Sequence, residues 1–142
     1  MVKKYLWLMI QKYQLLFHLK GSFQRYIRNS VLDGAELVVI LTNQASYGES
    51  GMSDQFILMS RANAISNDRP IVHAAITGKS AFIDHNGKVI SKTELFETTT
   101  LNEKLEVRQT ETPYNKYGNY LNYIFIIFGA LTFARKLTRP VD

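Results

Sequence analysis

Apolar residues in the first third of the chain fall at Phe23, Tyr26, Ile27 and Val31, close to helical spacing over residues 22–32. Gly34, in "DGAE", stands where such a helix would stop. The pattern then changes period. "ELVVILT" is a continuous apolar run of strand length, rich in Val and Ile, and predicts a strand over 36–42 buried on both faces. After the polar loop "TNQASYGESG", Ser53 is placed to cap a second helix, with Asp54 in its first turn. Leu58, Ala62 and Ile65 supply an apolar stripe that ends near Asn67. Pro70 opens "PIVHAAI", predicting a strand over 70–76. "SAFID", "HNG" and "KVIS" then read as a hairpin over 80–91, turned at Asn86 and Gly87. Helices alternating with strands imply α/β layering.

Residues 94–116 are polar and rich in turn formers, which predicts an excursion along the surface. The last segment is different. From Tyr120 to Ala134 the chain is apolar except for Asn122 and Thr132. A helix of that stretch would be about 22 Å long against a hydrocarbon core of roughly 30 Å. Tyr117, Tyr120 and Tyr123 at one end and Arg135, Lys136 and Arg139 at the other match an aromatic belt and a positive cytoplasmic flank. The alternative is a core helix of an α/β domain. At the other terminus, "MVKKYLWLMI" begins as a secretory signal does, but Gln11, Lys12 and Gln14 interrupt it and no small-residue cleavage site follows. An amphipathic helix or an arbitrary sequence fits residues 1–21 equally well.

Composition narrows the chemistry. At 142 residues with 46% hydrophobic and 20% charged, the chain is one domain at most, with enough apolar material for a core. The net charge of +5 is concentrated at the two ends, so a basic groove for nucleic acid is not expected. There is no cysteine, which excludes a disulfide, a thiolate metal site and a thiol nucleophile. His18, His73 and His85 stand far apart without helical pairing, so no metal is expected.

The order of motifs carries a resemblance. "GAELVVILTNQASYGESG", "SDQFILMSRANAI", "RPIVHAAITGKSAFIDHNGKVI", "LFET", "TPYNKYGN" and the terminal hydrophobic segment are together similar to the C-terminal part of bacterial apolipoprotein N-acyltransferases, over roughly residues 23–136. The resemblance implies the C-terminal part of a nitrilase-like α-β-β-α sandwich followed by one transmembrane helix. It divides the chain into an unassigned segment 1–21, a partial nitrilase-like domain 22–116, a transmembrane helix 117–136 and a cytoplasmic tail 137–142. It further implies acyl transfer from phospholipid to the N-terminal diacylglyceryl-cysteine of lipoproteins through a cysteine thioester, with a glutamate base and a lysine oxyanion stabiliser. No cofactor is implied.

Several positions depart from the family. Counting back from Phe23 puts His18 where the cysteine belongs and Lys20 where a nearby glutamate belongs, and the glutamate and lysine of the triad lie upstream of this stretch in the family. Gln44 stands where Asp is common, Ser46 where Trp is common, and Ser66 where Glu is common. Residues 1–20 resemble nothing in the family, as sequence out of register with an ancestral gene would. By resemblance, Asn43, Ser46, Tyr47 and Gly48 line the acyl pocket. The expectation is a truncated acyltransferase, inactive alone, in the bacterial inner membrane with its domain on the outer face, its partners being the phospholipid membrane and the family's lipid and apolipoprotein substrates. Two alternatives remain: a membrane-anchored module that pairs with another nitrilase-like chain, and activity restored by a complementing chain that supplies the triad.

Overall fold

The computed structural model describes the backbone of residues 13–17 and 24–137 and the side chains of residues 24–120 and 122–135. His18, Lys20, Phe23 and the end of the tail therefore lie outside the described residues.

The sheet has five strands among these residues, in sequence order: β1 (Tyr13–Phe17), β2 (Leu37–Asn43), β3 (Ile71–Ile76), β4 (Ala81–Ile83) and β5 (Val89–Lys92). β1, β2 and β3 run parallel, joined by α1 (Gln24–Leu32) and α2 (Met52–Asn67), and β4 and β5 complete an antiparallel edge. Residues 13–17, for which the apolar pattern assigns no element, are a strand because β2 offers them a parallel partner, with Tyr13 opposite Leu37 and Phe17 opposite Leu41.

Both helices pack on one face of the sheet. Ile27 and Val31 of α1 and Ile57 and Ala64 of α2 close over Val38, Ile40, Ile71, Ala81 and Ile83. Among the described residues no helix or strand packs on the opposite face. Leu37, Val39 and Leu41 are only half-buried, and β2 alternates strictly between that state and full burial. The expectation of a strand buried on both faces is thus corrected: its apolar run is continuous, but among the described residues only one face has a helix layer against it.

Two details of α2 also differ from the pattern. Ser53 lies inside the helix rather than capping it, and its hydroxyl donates to Gln44 Oε1. The predicted stripe Leu58, Ala62 and Ile65 faces outward, with Leu58 and Ile65 each 56% exposed. The buried side instead carries Ser53, Phe56, Ile57, Ser60, Asn63, Ala64 and Asn67. Small polar side chains win that face because Ser53, Ser60 and Asn67 find buried partners there in Gln44, His73 and Asn115.

The hairpin forms as predicted. Asp84 Oδ1 accepts from the N–H groups of Asn86 and Lys88, and Gly87 sits at φ +77°. Arg61 Nε donates to the Gly87 carbonyl at 2.8 Å, docking the turn on α2. A Cβ at residue 87 would lie 2.7 Å from Ile65 Cγ1 and 3.1 Å from the Arg61 carbonyl. Gly87→Ala is therefore expected to cost about 2 kcal/mol, from left-handed strain and crowding, in a urea titration.

The polar excursion is fastened at its far end. Thr112 and Asn115 form a reciprocal cap on α3 (Pro113–Tyr117), Thr112 Oγ1 donates to the Ser66 carbonyl, and Asn115 Nδ2 donates to Asn67 Oδ1 at 2.8 Å. Gly118, at φ +61°, ends α3, and α4 (Tyr120–Leu137) follows. The expected membrane segment 117–136 thus runs from the end of α3 through most of α4. Tyr117 belongs to the capped helix α3, so the apolar helix starts three residues later, and among the described residues no helix is long and apolar enough to cross a membrane.

Candidate functional site

The carboxyl ends of β2 and β3 meet a cleft of about 450 Å³ lined by Leu41, Thr42, Asn43, Ala74, Ala75, Ile76 and Ser80. Residues 41 and 43 of β2 and 74 and 76 of β3 stand opposite one another on the open face, which makes the cleft mainly apolar. A neighbouring cleft of about 480 Å³ runs from β3 and β4 to the segment 97–101 and includes Thr77 and Thr93. β1 ends at Phe17, level with Leu41. Crevices at the carboxyl ends of parallel strands are common ligand sites.

Of the sequence-predicted lining residues, Asn43 borders the cleft, and its Oδ1 accepts from Ala45 N–H at 3.0 Å, closing the turn after β2. Ser46 and Tyr47 lie on the short 3-10 turn Ala45–Tyr47, ended by Gly48 at φ +54°. The Tyr47 ring packs 5.7 Å from Phe56 of α2, on the helix side of the sheet. Ser46 and Gly48 are exposed.

The residue that organises the loop is Gln44, which resemblance marks only as a departure. It is 2% exposed. Its N–H donates to the Ile76 carbonyl, its carbonyl accepts from Tyr47 N–H, its Oε1 accepts from Ser53, and its Nε2 lies 3.1 Å from His73 Nε2. A Cβ at residue 78 would lie 2.1 Å from Gln44 Oε1, so Gly78 leaves the space the amide fills. One side chain thus joins β2, β3, the start of α2 and the turn at 77–80. Alternation was the available signal: Val38, Ile40, Thr42 and Gln44 are spaced by two, and the first three are buried on the helix side.

His73 is held neutral. Since Gln44 Oε1 is taken by Ser53, its amide nitrogen faces His73 and donates to Nε2, which leaves the ring proton on Nδ1 to donate to Ser60 Oγ at 3.0 Å. Burial pushes the imidazole pKa down to about 4. The ring is therefore a structural acceptor and donor at neutral pH. Lys79, in the adjoining turn, is bound through Nζ to both oxygens of Asp54 at 2.8 and 3.0 Å. That contact raises the pKa of the lysine and lowers that of the acid. Thr77 opens this turn at φ +63°, an unusual conformation for a β-branched residue, and Phe96 N–H donates to its carbonyl.

The arrangement suits an apolar ligand held against a neutral, rigid wall. Asp54 and Lys79 neutralise one another, and among the described residues no three His, Asp or Glu side chains converge on a metal position. With no cysteine in the chain, the site holds no thiol for covalent catalysis.

An α/β sheet with both crossover helices on one face and a crevice at its strand ends is the fold of carbon-nitrogen hydrolases. A hydrolase of that kind from Helicobacter pylori aligns with a TM-score of 0.53 at 15% identity, covering 61% of this chain and 37% of the other. An amidase of the nitrilase superfamily from Nesterenkonia aligns at 0.50 and 20% identity, covering 58% and 34%. The sequence profile of the carbon-nitrogen hydrolases matches residues 19–112, and the chain belongs to that family. Its curated relatives are apolipoprotein N-acyltransferases. The protein of Geobacter metallireducens is 33% identical over 126 residues, covering 86% of this chain and 24% of the relative. That of Mycolicibacterium smegmatis is 35% identical over 107 residues, covering 75% and 18%. The chain thus spans about a quarter, or less, of the length of these relatives.

Proposed function

We propose that this chain supplies the pocket wall and membrane seat of an apolipoprotein N-acyltransferase, without the groups that perform the transfer. The observation that carries the reading is the pairing of an apolar cleft at the strand ends, bordered by Asn43, with a chain that contains no cysteine. A phospholipid acyl chain fits such a cleft, and the thioester chemistry has no nucleophile here. In this reading Asn43, Ser46, Tyr47 and Gly48 are relics of the acyl pocket, and His18 replaces its nucleophile.

The membrane part of the reading rests on α4. Its apolar side chains are exposed on every side, from Ile124 at 54% to Phe125 at 71%. A helix apolar all round is suited to lipid. Its 18 residues span about 27 Å, somewhat less than a hydrocarbon core, so insertion relies on local thinning and on snorkelling of the terminal cations. The folded part then lies on the outer face of the bacterial inner membrane, with the C-terminus cytoplasmic.

Expression in a bacterium depleted of its own apolipoprotein N-acyltransferase tests the function. The expected result is no triacylated lipoprotein by mass spectrometry while the chain is present in the membrane fraction. Restored triacylation by this chain alone would overturn it.

A second reading, pairing with another nitrilase-like chain, is favoured by the open face of the sheet, where Leu37, Val39, Leu41 and Phe82 are half-buried and Ile76 is 66% exposed. A second sheet would cover that face.

A further inference from the structure

Asn86 is the only asparagine of the chain followed by glycine. A glycine nitrogen has no side chain beside it, so it can close on the amide carbon of the preceding residue, an approach that bulkier neighbours hinder. The tip of the hairpin brings this pair to the surface, with Asn86 exposed and Gly87 buried against α2. Asn86 Nδ2 lies 2.9 Å from His85 Nε2, which holds the amide beside the turn. Asn63, Asn67 and Asn115, by contrast, are almost fully buried.

The folded turn restrains the attacking nitrogen. Gly87 N–H donates to the Asp84 carbonyl at 3.0 Å, and the Gly87 carbonyl accepts from Arg61 Nε of α2 at 2.8 Å. Asp84 Oδ1 accepts from the N–H groups of Asn86 and Lys88 at 2.9 and 2.8 Å, which fixes the span between them. Attack therefore requires the tip to lift from α2, a local opening that Arg61 opposes.

We propose that Asn86 is a self-modification site, deamidated through a cyclic imide at a rate set by the docking of the hairpin on α2. The Gly87 nitrogen bonds to Asn86 Cγ, the Cγ–Nδ2 bond breaks, and the proton shed by Gly87 leaves with Nδ2 as ammonia. Water then opens the imide at one of its two carbonyls. One opening gives aspartate, and the other gives isoaspartate, whose main chain runs through Cβ and Cγ. The second product adds a carbon to the main chain between residues 86 and 87. The two N–H groups held by Asp84 Oδ1 lie on either side of that insertion, and there is no room beneath it, since a Cβ at residue 87 would already lie 2.7 Å from Ile65 Cδ1. The isoaspartyl tip thus loses its seat on α2 and gains a carboxylate near that of Asp84.

The test incubates the full chain in detergent micelles in ¹⁸O-water at neutral pH, followed by digestion in ordinary water and mass spectrometry of the tryptic peptide 80–88, in which Asn86 is the only asparagine. Label is expected at residue 86 ahead of every other asparagine, faster in urea, and about fivefold faster in folded Arg61→Ala, the factor that one lost hydrogen bond gives. Arg61→Lys, which keeps the cation but loses the planar donor, is expected to fall between. Label at residue 86 only in urea, with none in the folded chain, would overturn the site. Equal rates in the parent and both Arg61 variants would overturn the gating. The purified isoaspartyl chain is expected to lose hydrogen-exchange protection over residues 84–92, whereas Asn86→Asp, with the ordinary main chain, keeps it. Equal protection in these two proteins would overturn the undocking.

Discussion

Acidification from neutral pH to about pH 4 is expected to remove about 3 kcal/mol of folding stability through His73 alone. The imidazole is 2% exposed and its pKa is pushed down by burial to about 4, against an ordinary value of 6.5. The unfolded chain therefore binds a proton that the folded chain refuses throughout the interval between those values. Stability is complete above about pH 6.5, declines as the pH falls towards 4, and declines no further on this account below it. At about 1.4 kcal/mol per pKa unit, the interval gives the figure stated. The contacts of the ring explain the direction: Gln44 donates to it, Ser60 accepts from it, Phe56 lies 6.4 Å away, and none of these offers a negative charge. Urea titrations over the pH series, repeated with His73→Gln, provide the check. Protein carrying Gln at 73 should be less stable at neutral pH but should lose less on acidification, and equal slopes for the two proteins would sink the assignment.

Arg69→Ala is expected to cost about 3 kcal/mol or more, the loss characteristic of buried carbonyls deprived of a charged donor. Arg69 is 3% exposed, follows the left-handed Asp68 that ends α2, and donates to the carbonyls of Ala35 and Thr110, each at 2.7 Å, and of Asp68 at 2.9 Å. Burial lowers its pKa, opposed by the charges of Asp68, Glu36 and Glu111. These bonds tie the start of β2 to the returning segment near 110. Truncation should therefore also expose residues 94–112 to limited proteolysis, and Arg69→Lys should restore only part of the loss. A change below about 1 kcal/mol with an unaltered digestion pattern would show that the fork carries no weight.

The two predictions concern residues that periodicity ranks very differently. Helices at 24–32 and 52–67, strands at 37–43 and 71–76 and the hairpin at 81–92 were all legible, because local spacing and turn chemistry decide whether those elements exist. Gln44 and Arg69 were not. Each is a polar residue whose burial depends on partners 29 and 41 positions away, His73 and Thr110, and no local window contains such pairs. The outward turn of the Leu58 and Ile65 stripe has the same origin. Hydrophobicity favours burying it, but the hydrogen bonds available to Ser60 and Asn67 on the opposite side orient the helix.

By itself the sequence determined the family, the alternation of helix and strand and the absence of a thiol, and it read a polar return over 94–116 whose last residues form α3, since composition, short-range period and ordered motifs carry these features. Tertiary structure alone decided which face of the sheet is covered, that residues 13–17 join it, and that Tyr117 belongs to the short capped helix α3. It also decided that a neutral, buried Gln44–His73 pair ties the loop after β2 to β3. The reason is physical: periodicity reports what a side chain would gain by burial, whereas the position of the remaining layers determines which of them are buried.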